Sequence, residues 1–306
     1  MSPLVKFSSE IQDARRANRP IVALESTIIT HGMPYPQNVA TARKVEAVVR
    51  EAGATPATIA VLDGEICVGL SDAQLTQLAQ AKDVMKLSRA DLAVAVASKR
   101  TGSTTVAATM ICARRAGIEV FATGGIGGVH RGAELSFDIS ADLRELADTA
   151  VTVVSAGAKA ILDLPKTLEV LETYGVPVIA FGQDEFPAFW SRSSGLHAPL
   201  RIDAPAEIAA AHLQRGRLGL PGGQLVANPI PVSAEIPREV IAPFIEQALA
   251  EAGQRHIAAK AVTPFLLQRL FELTNGRSLE ANIALVLNNA RLAAQIAAEI
   301  TRQRAV

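Results

Sequence analysis

Cysteine and aromatic residues are scarce in this chain: it has two cysteines and 4% aromatic side chains among 306 residues. Two thiols cannot build a disulfide framework. Cys67 and Cys112 lie in the apolar stretches ICVGL and TMICARR, so they read as reduced core thiols, which fits a cytoplasmic setting. So few rings leave the core to Ala, Val, Leu and Ile, a composition that suits α/β packing. Neither sign of charge is in excess: thirty basic residues balance thirty acidic ones, which excludes a general attraction to nucleic acid or an anionic membrane. Any anion site must be local. No apolar run reaches membrane-spanning length, and MSPLVKFSSEIQDARRANRP lacks the apolar segment of a secretory signal. The partner expected is a small molecule.

What the chain does have is alternation. Apolar strand-like runs alternate with segments of helical period, and neither a linker nor an internal repeat interrupts them, so residues 1–306 read as one domain. IVAL (21–24) is the first clear strand. In PQNVATARKVEAVVREAG, Val39, Ala42, Val45 and Val49 share one helical face, and Gly53 stops the helix. TIAVLDGEICVGL carries Asp63-Gly64 between two strand-like runs, a hairpin signal that makes the sheet mixed. Ser103 is expected to cap a helix through MICARRAG, and Ser140 one through DLRELAD; strands EVFATGG and VTVVSAG follow them. VPVIAFG and GQLVANPIP continue the series. After Pro237 the pattern is wholly helical and ends in SLEANIALVLNNARLAAQIAAEITRQ. The expected fold is a three-layer α/β/α sandwich around a mixed sheet, with a helical C-terminal segment.

Two reactive side chains stand directly after apolar strand runs: Glu25 in IVALESTI and Lys159 in VTVVSAGAK. In an open α/β sheet the carboxyl ends of the strands gather ligand-binding loops, so both residues fall where one crevice can hold them. Taken singly, each also reads as an ordinary residue, a solvated loop lysine and a carboxylate pairing with a nearby cation. FATGGIGGVHRGAELSFDIS is glycine-rich and carries His130 and Arg131, so its backbone N–H groups can approach an anion, yet it matches neither a P-loop nor a dinucleotide fingerprint. Asp138 and Asp142 flank Ser140, and either carboxylate can take a hard cation such as Mg²⁺ or Mn²⁺, while Zn²⁺ ligands are scarce; Asp142 also suits a helix N-terminus. Lys86 and the hydroxyls of GSTTVAAT, Thr104 and Thr105 among them, suit a phosphate at a helix start. Asn282 and Asn289 lie one heptad apart in the last helix, and an amide there can read a planar heterocycle through a donor and an acceptor.

Taken together, ALESTIITHGMPYPQN, TPATIAVLDG, GSTTVAATM, FATGGIGGVHRGAELSFDISADL, VSAGAKAILDL, LVANPIP and TPFLLQRLFELT resemble the pseudouridine-5′-phosphate glycosidase family, also called indigoidine synthase A-like. The likeness runs in order from about residue 10 to about residue 300. It implies a metal-dependent lyase, with Mn²⁺ the usual ion, that interconverts pseudouridine 5′-phosphate with uracil and ribose 5-phosphate. It also implies an α/β/α sandwich and a homotrimer. Carried over by motif, Glu25 corresponds to the proton donor, Lys159 to the covalent nucleophile and Asp138 to the metal ligand. Lys86, Val106 and the segment from Ser140 to Asp142 fall at substrate-contacting positions, Asn282 at the base, and His130 is expected to touch the substrate.

The implied chemistry explains the lysine. A carbon-linked base has no lone pair to protonate at the scissile bond, so the two-carboxylate scheme for C–O glycosides does not transfer. A lysine amine that attacks the anomeric carbon, with Glu25 protonating the ring oxygen, gives an adduct that can expel the base as a carbon and leave a Schiff base. Lysine attacks as the neutral amine, and apolar surroundings favour that form. A Schiff-base aldolase acting on a phosphosugar and a catalytically silent sugar-phosphate sensor are the competing expectations.

Overall fold

The computed structural model describes residues 4–255, 257 and 261–305. Its eleven strands are β1 Val5–Phe7, β2 Ile21–Leu24, β3 Thr55–Leu62, β4 Glu65–Val68, β5 Met85–Leu87, β6 Gly102–Thr104, β7 Val120–Ala122, β8 Thr152–Ser155, β9 Val178–Phe181, β10 Leu200–Ile202 and β11 Gln224–Ala227. They join in the order β1-β4-β3-β2-β7-β8-β11-β9-β10, with β6 also on β3 and β5 on β6. From β3 through β2 to β10 every pairing is parallel, and all of these strands except the exposed edge strand β10 are buried apolar runs, as strands covered on both faces must be. The hairpin expected at Asp63-Gly64 joins β3 to β4 antiparallel, with both turn residues at positive φ, and β6 also runs antiparallel to β3, so the sheet is mixed.

Helices cover both faces. One layer holds Gln37–Glu51, Pro205–Arg217 and the long Arg277–Arg304, which packs against β2, β7 and β8; the other holds Val106–Arg115 and Ala141–Asp148. Val39, Ala42, Val45 and Val49 are all buried, as the helical period required. Cys67 and Cys112 are free and buried, and burial pushes the Cys112 thiol up to about 12, which leaves it an inert core side chain. Among the described residues no helix is long and apolar enough to cross a membrane.

One local expectation needs correction. Ser103 lies within β6, and the helix through MICARR is capped by Thr105, whose hydroxyl accepts from Ala108 N. The strand ladder pulls the GST segment into register with Met85–Leu87, and this pairing sets the boundary where capping preference alone would have begun the helix earlier. Ser140 does cap Ala141–Asp148, accepting from Asp142 N.

The chain runs from β2 to β3 on one side and later returns to place β7 on the other side of β2. The order in which strands are added therefore reverses between β2 and β7, and at such a point the loops at the carboxyl ends part and leave a crevice.

Candidate active site

Glu25 is the first residue after β2, and Lys159 follows β8, with the Thr123–Gly127 segment after β7 between them. Ile126 and Ala158 form a parallel bridge beyond the strand ends, and Lys159 N donates to Ile126 O at 3.1 Å. That bridge carries the β7–β8 pairing up to the lysine and fixes its backbone. Glu25, Lys159, Lys86, Thr105, Val106, His130, Asp138, Ser140, Asp142 and Asn282 all line one cavity of about 400 Å³. A volume of that size suits a small, nucleotide-sized ligand.

The Glu25 carboxylate accepts from two hydroxyls, Thr27 on one oxygen and Thr123 on the other. The Lys159 ammonium nitrogen Nζ donates to Gly125 O at 2.8 Å, so the glycine segment itself orients the amine. Asp142 has a different part from the one its position suggested. It is buried, and its two oxygens accept from Ala107 N at 3.0 Å and Gly127 N at 2.8 Å. One carboxylate thus ties a helix N-terminus to the glycine-rich loop, with one backbone N–H on each oxygen. Glycine is required at 127 because a Cβ there would lie 2.3 Å from Ser140 Oγ.

Thr104 is not at the cavity. It is fully buried, donates to Ile59 O at 2.8 Å and accepts from Thr109, so its hydroxyl is spent inside the sheet. Asn289 is likewise internal, donating to Thr123 O at 2.8 Å and accepting from Asn228, which holds up the β7 end on which Glu25 leans. Asp138 remains half-buried at the rim. The His130 imidazole is held below its ordinary value by burial, against the pull of Asp138 and with the positive charges of Lys159 and Lys86 pushing the same way as burial. Asp138, Lys159 and Lys86 therefore all act on His130 across the cavity. Among the described residues no cluster of three or more His, Cys, Asp or Glu could cage a metal. The single carboxylate of Asp138 fits a hard cation that keeps most of its water.

Sequence reasoning missed Thr123, Phe189 and His31. His31 lines the cavity six residues after Glu25; its Nδ1 is paired with Thr30 Oγ1 at 2.6 Å, and burial, then Lys86, lowers its pKa. Its signal was a place in the same post-strand segment as Glu25. Phe189 had none, since it reaches the cavity from a distant loop at a positive φ of 61°.

A lysine after β8 and a carboxylate after β2, set on either side of the β7 end over one cavity, mark the chain as an α/β protein with a lysine–carboxylate site. Residues 10–299 match the family described as "Indigoidine synthase A like protein", and the chain belongs to that family. A relative from Paracoccus denitrificans, named pseudouridine-5′-phosphate glycosidase, is 72% identical over 97% of this chain and 99% of its own length. One of the same name from Caldanaerobacter subterraneus is 55% identical over 99% and 98%. Among solved structures, the prealnumycin C-glycosynthase AlnA in complex with ribulose 5-phosphate matches with TM-score 0.92 and 39% identity over 100% of this chain and 99% of its own. An indigoidine synthase A-like protein from Thermotoga maritima matches with TM-score 0.88 and 36% identity over 97% of both chains.

Proposed function

We propose that this chain is a pseudouridine-5′-phosphate glycosidase, cleaving the C–C bond between base and sugar to give uracil and ribose 5-phosphate, reversibly. The observation that carries the reading is the pairing of Lys159, oriented by Gly125 O, with the doubly hydrogen-bonded Glu25 in one cavity, in a chain 72% identical to a relative of that name. Both groups line a cavity of about 400 Å³, a volume that suits a nucleotide-sized ligand.

In the proposed reaction the Glu25 carboxyl gives its proton to the ribose ring oxygen, and the neutral Lys159 amine bonds to the anomeric carbon as the ring C–O bond breaks. The product is an open-chain secondary amine. A proton then reaches the base carbon, the nitrogen lone pair forms C=N, and the C–C bond electrons stay with uracil. Water adds to the iminium and expels Lys159, freeing ribose 5-phosphate. Thr27 and Thr123 fix which way the Glu25 oxygens point, so the acid is aimed before the sugar arrives.

Lys86, Thr105, Val106 and Ser140 are the phosphate end of the site in this reading, with Thr105 at a helix N-terminus. Asp138 would hold Mn²⁺, with His130 beside it. Such a hydrated divalent cation supplies positive charge that organises phosphate and water. By resemblance to its family the chain assembles as a homotrimer.

The test is a borohydride trap. Protein incubated with pseudouridine 5′-phosphate and Mn²⁺, reduced and digested, is expected to carry a ribose-phosphate mass on Lys159 and to release uracil. Absence of both under conditions where a working relative shows both would refute the reading. The aldolase alternative is separated by Asn282→Ala, which an aldolase tolerates.

A further inference from the structure

The indole of Trp190 sits directly behind Asn282, almost wholly buried. Its Nε1 donates to Asn282 Oδ1 at 2.7 Å and also to Ser278 O at 3.2 Å, one turn earlier in the same helix. An indole nitrogen can only donate, so the amide atom facing it must be the oxygen. Chemistry thus settles which way round the Asn282 amide lies. The indole is itself immobilised: Phe189 stacks edge-on against it with centroids 5.0 Å apart, and Trp190 O accepts from Ile236 N at 2.9 Å. Asn282 lines the cavity, and its Nδ2 has no protein acceptor among the described residues.

We infer that Trp190 is a specificity-determining positioning residue: by occupying the Asn282 oxygen it leaves the amide only a donor to offer, so the base site selects a carbonyl oxygen and rejects an amino group there. This rests on the pseudouridine-phosphate reading and goes beyond it. A freely turning asparagine would accept either group by flipping, and the heterocycle could then be an aminopyrimidine as readily as uracil. With the indole in place, an amino group meets another donor and an N–H is left unpaired in a cavity to whose lining Phe189, Leu279 and Leu285 also contribute. Sites built this way discriminate strongly, because the penalty is an unsatisfied polar group.

The experiment measures binding of free bases to the protein by calorimetry with inorganic phosphate and Mn²⁺ present, so that no sugar is there for a base to be joined to. Uracil is compared with cytosine and isocytosine, each of which replaces one of its two carbonyls by an amine. The expected result is that wild type binds one of the two at least about tenfold more weakly than uracil. Asn282→Asp keeps an acceptor for Trp190 and presents a second acceptor to the cavity, so it should reverse that preference. Trp190→Phe should narrow it and raise KM for pseudouridine 5′-phosphate more than it lowers kcat. Equal affinity of wild type for all three bases would overturn the inference, as would an Asn282→Asp protein that still prefers uracil. Should Trp190→Phe not fold, the Asn282→Asp reversal decides alone. Uracil release from pseudouridine 5′-phosphate, followed in the same preparation, separates the two levels: release with undiscriminating base binding sinks only this inference, whereas no release and no uracil binding sinks the functional reading with it.

Discussion

The Thr123 hydroxyl donates to the Glu25 carboxylate across neighbouring parallel strand ends, although the two residues lie 98 positions apart in the chain. Thr27 holds the other oxygen from the residues just after Glu25 itself. One support is local and the other long-range, so the orientation of the acid depends on the β2–β7 pairing being in register. Thr123→Val keeps the shape and removes the donor. It is expected to lower kcat by up to about tenfold, in line with the loss of one hydrogen bond that aims the acid, while leaving the thermal midpoint within a few degrees. Steady-state kinetics with a melting curve checks this.

Lys159→Ala is expected to abolish both turnover and the reducible adduct. Lys159→Arg keeps the positive charge but cannot form a neutral nucleophile, so it should be as inactive. Rates within tenfold of wild type in either variant would show that another group attacks the sugar.

Asp142→Asn replaces one acceptor oxygen by an N–H that faces another N–H. Because the carboxylate joins Ala107 N and Gly127 N, the change is expected to cost about 1.5–3 kcal/mol of stability and to raise KM by loosening the glycine-rich loop. Urea unfolding and substrate titration measure the two effects separately.

Chelator is expected to remove activity, and Mn²⁺ to restore it. In Asp138→Asn the restoration should need much more metal, since a neutral amide is a poorer ligand for a hard cation. Full activity of chelated, metal-free enzyme would remove the metal from the proposed mechanism.

Far from the cavity, Glu119 just before β7 ties two helices to the sheet, Pro205–Arg217 through His212 at 3.2 Å and the last helix through a paired contact with Arg304. Burial pushes its carboxyl up, but hydrogen bonds from His212 and Arg304, reinforced by their charge, outweigh this and hold it at about 2. A depressed carboxyl stabilises the fold at pH above its unfolded value and loses that contribution as pH falls toward its folded one. Stability should therefore fall between about pH 4.5 and 2, and Glu119→Gln should flatten that part of the curve. Melting temperatures across the range test the slope.

Much of the site was legible because its residues follow strand runs that hydrophobicity alone reveals. Glu25 after IVAL and Lys159 after VTVVS are examples, and the cavity brings them together. Thr104 and Asn289 were misread for a shared reason. Both are polar residues in segments that looked like ligand surfaces, and both turn inward to satisfy buried carbonyls. A sequence does not tell whether a hydroxyl or amide faces a ligand or the backbone, because the choice is made by elements that meet it from elsewhere in the chain. The missing edge elements have a similar cause: β1, β5, β6 and β10 are three residues long, too short for a period to declare itself.

Local chemistry thus determined the alternation of strands and helices, the Asp63-Gly64 hairpin, the mixed sheet and the positions of the lysine and the acid, since each depends on side-chain period or turn preference within a few residues. Only the tertiary structure decided that β7 lies between β2 and β8, that Thr123 and Gly125 aim Glu25 and Lys159, and that Trp190 turns the Asn282 amide. Those are pairings between segments far apart in sequence, and their geometry exists only after the sheet and its covering helices have packed.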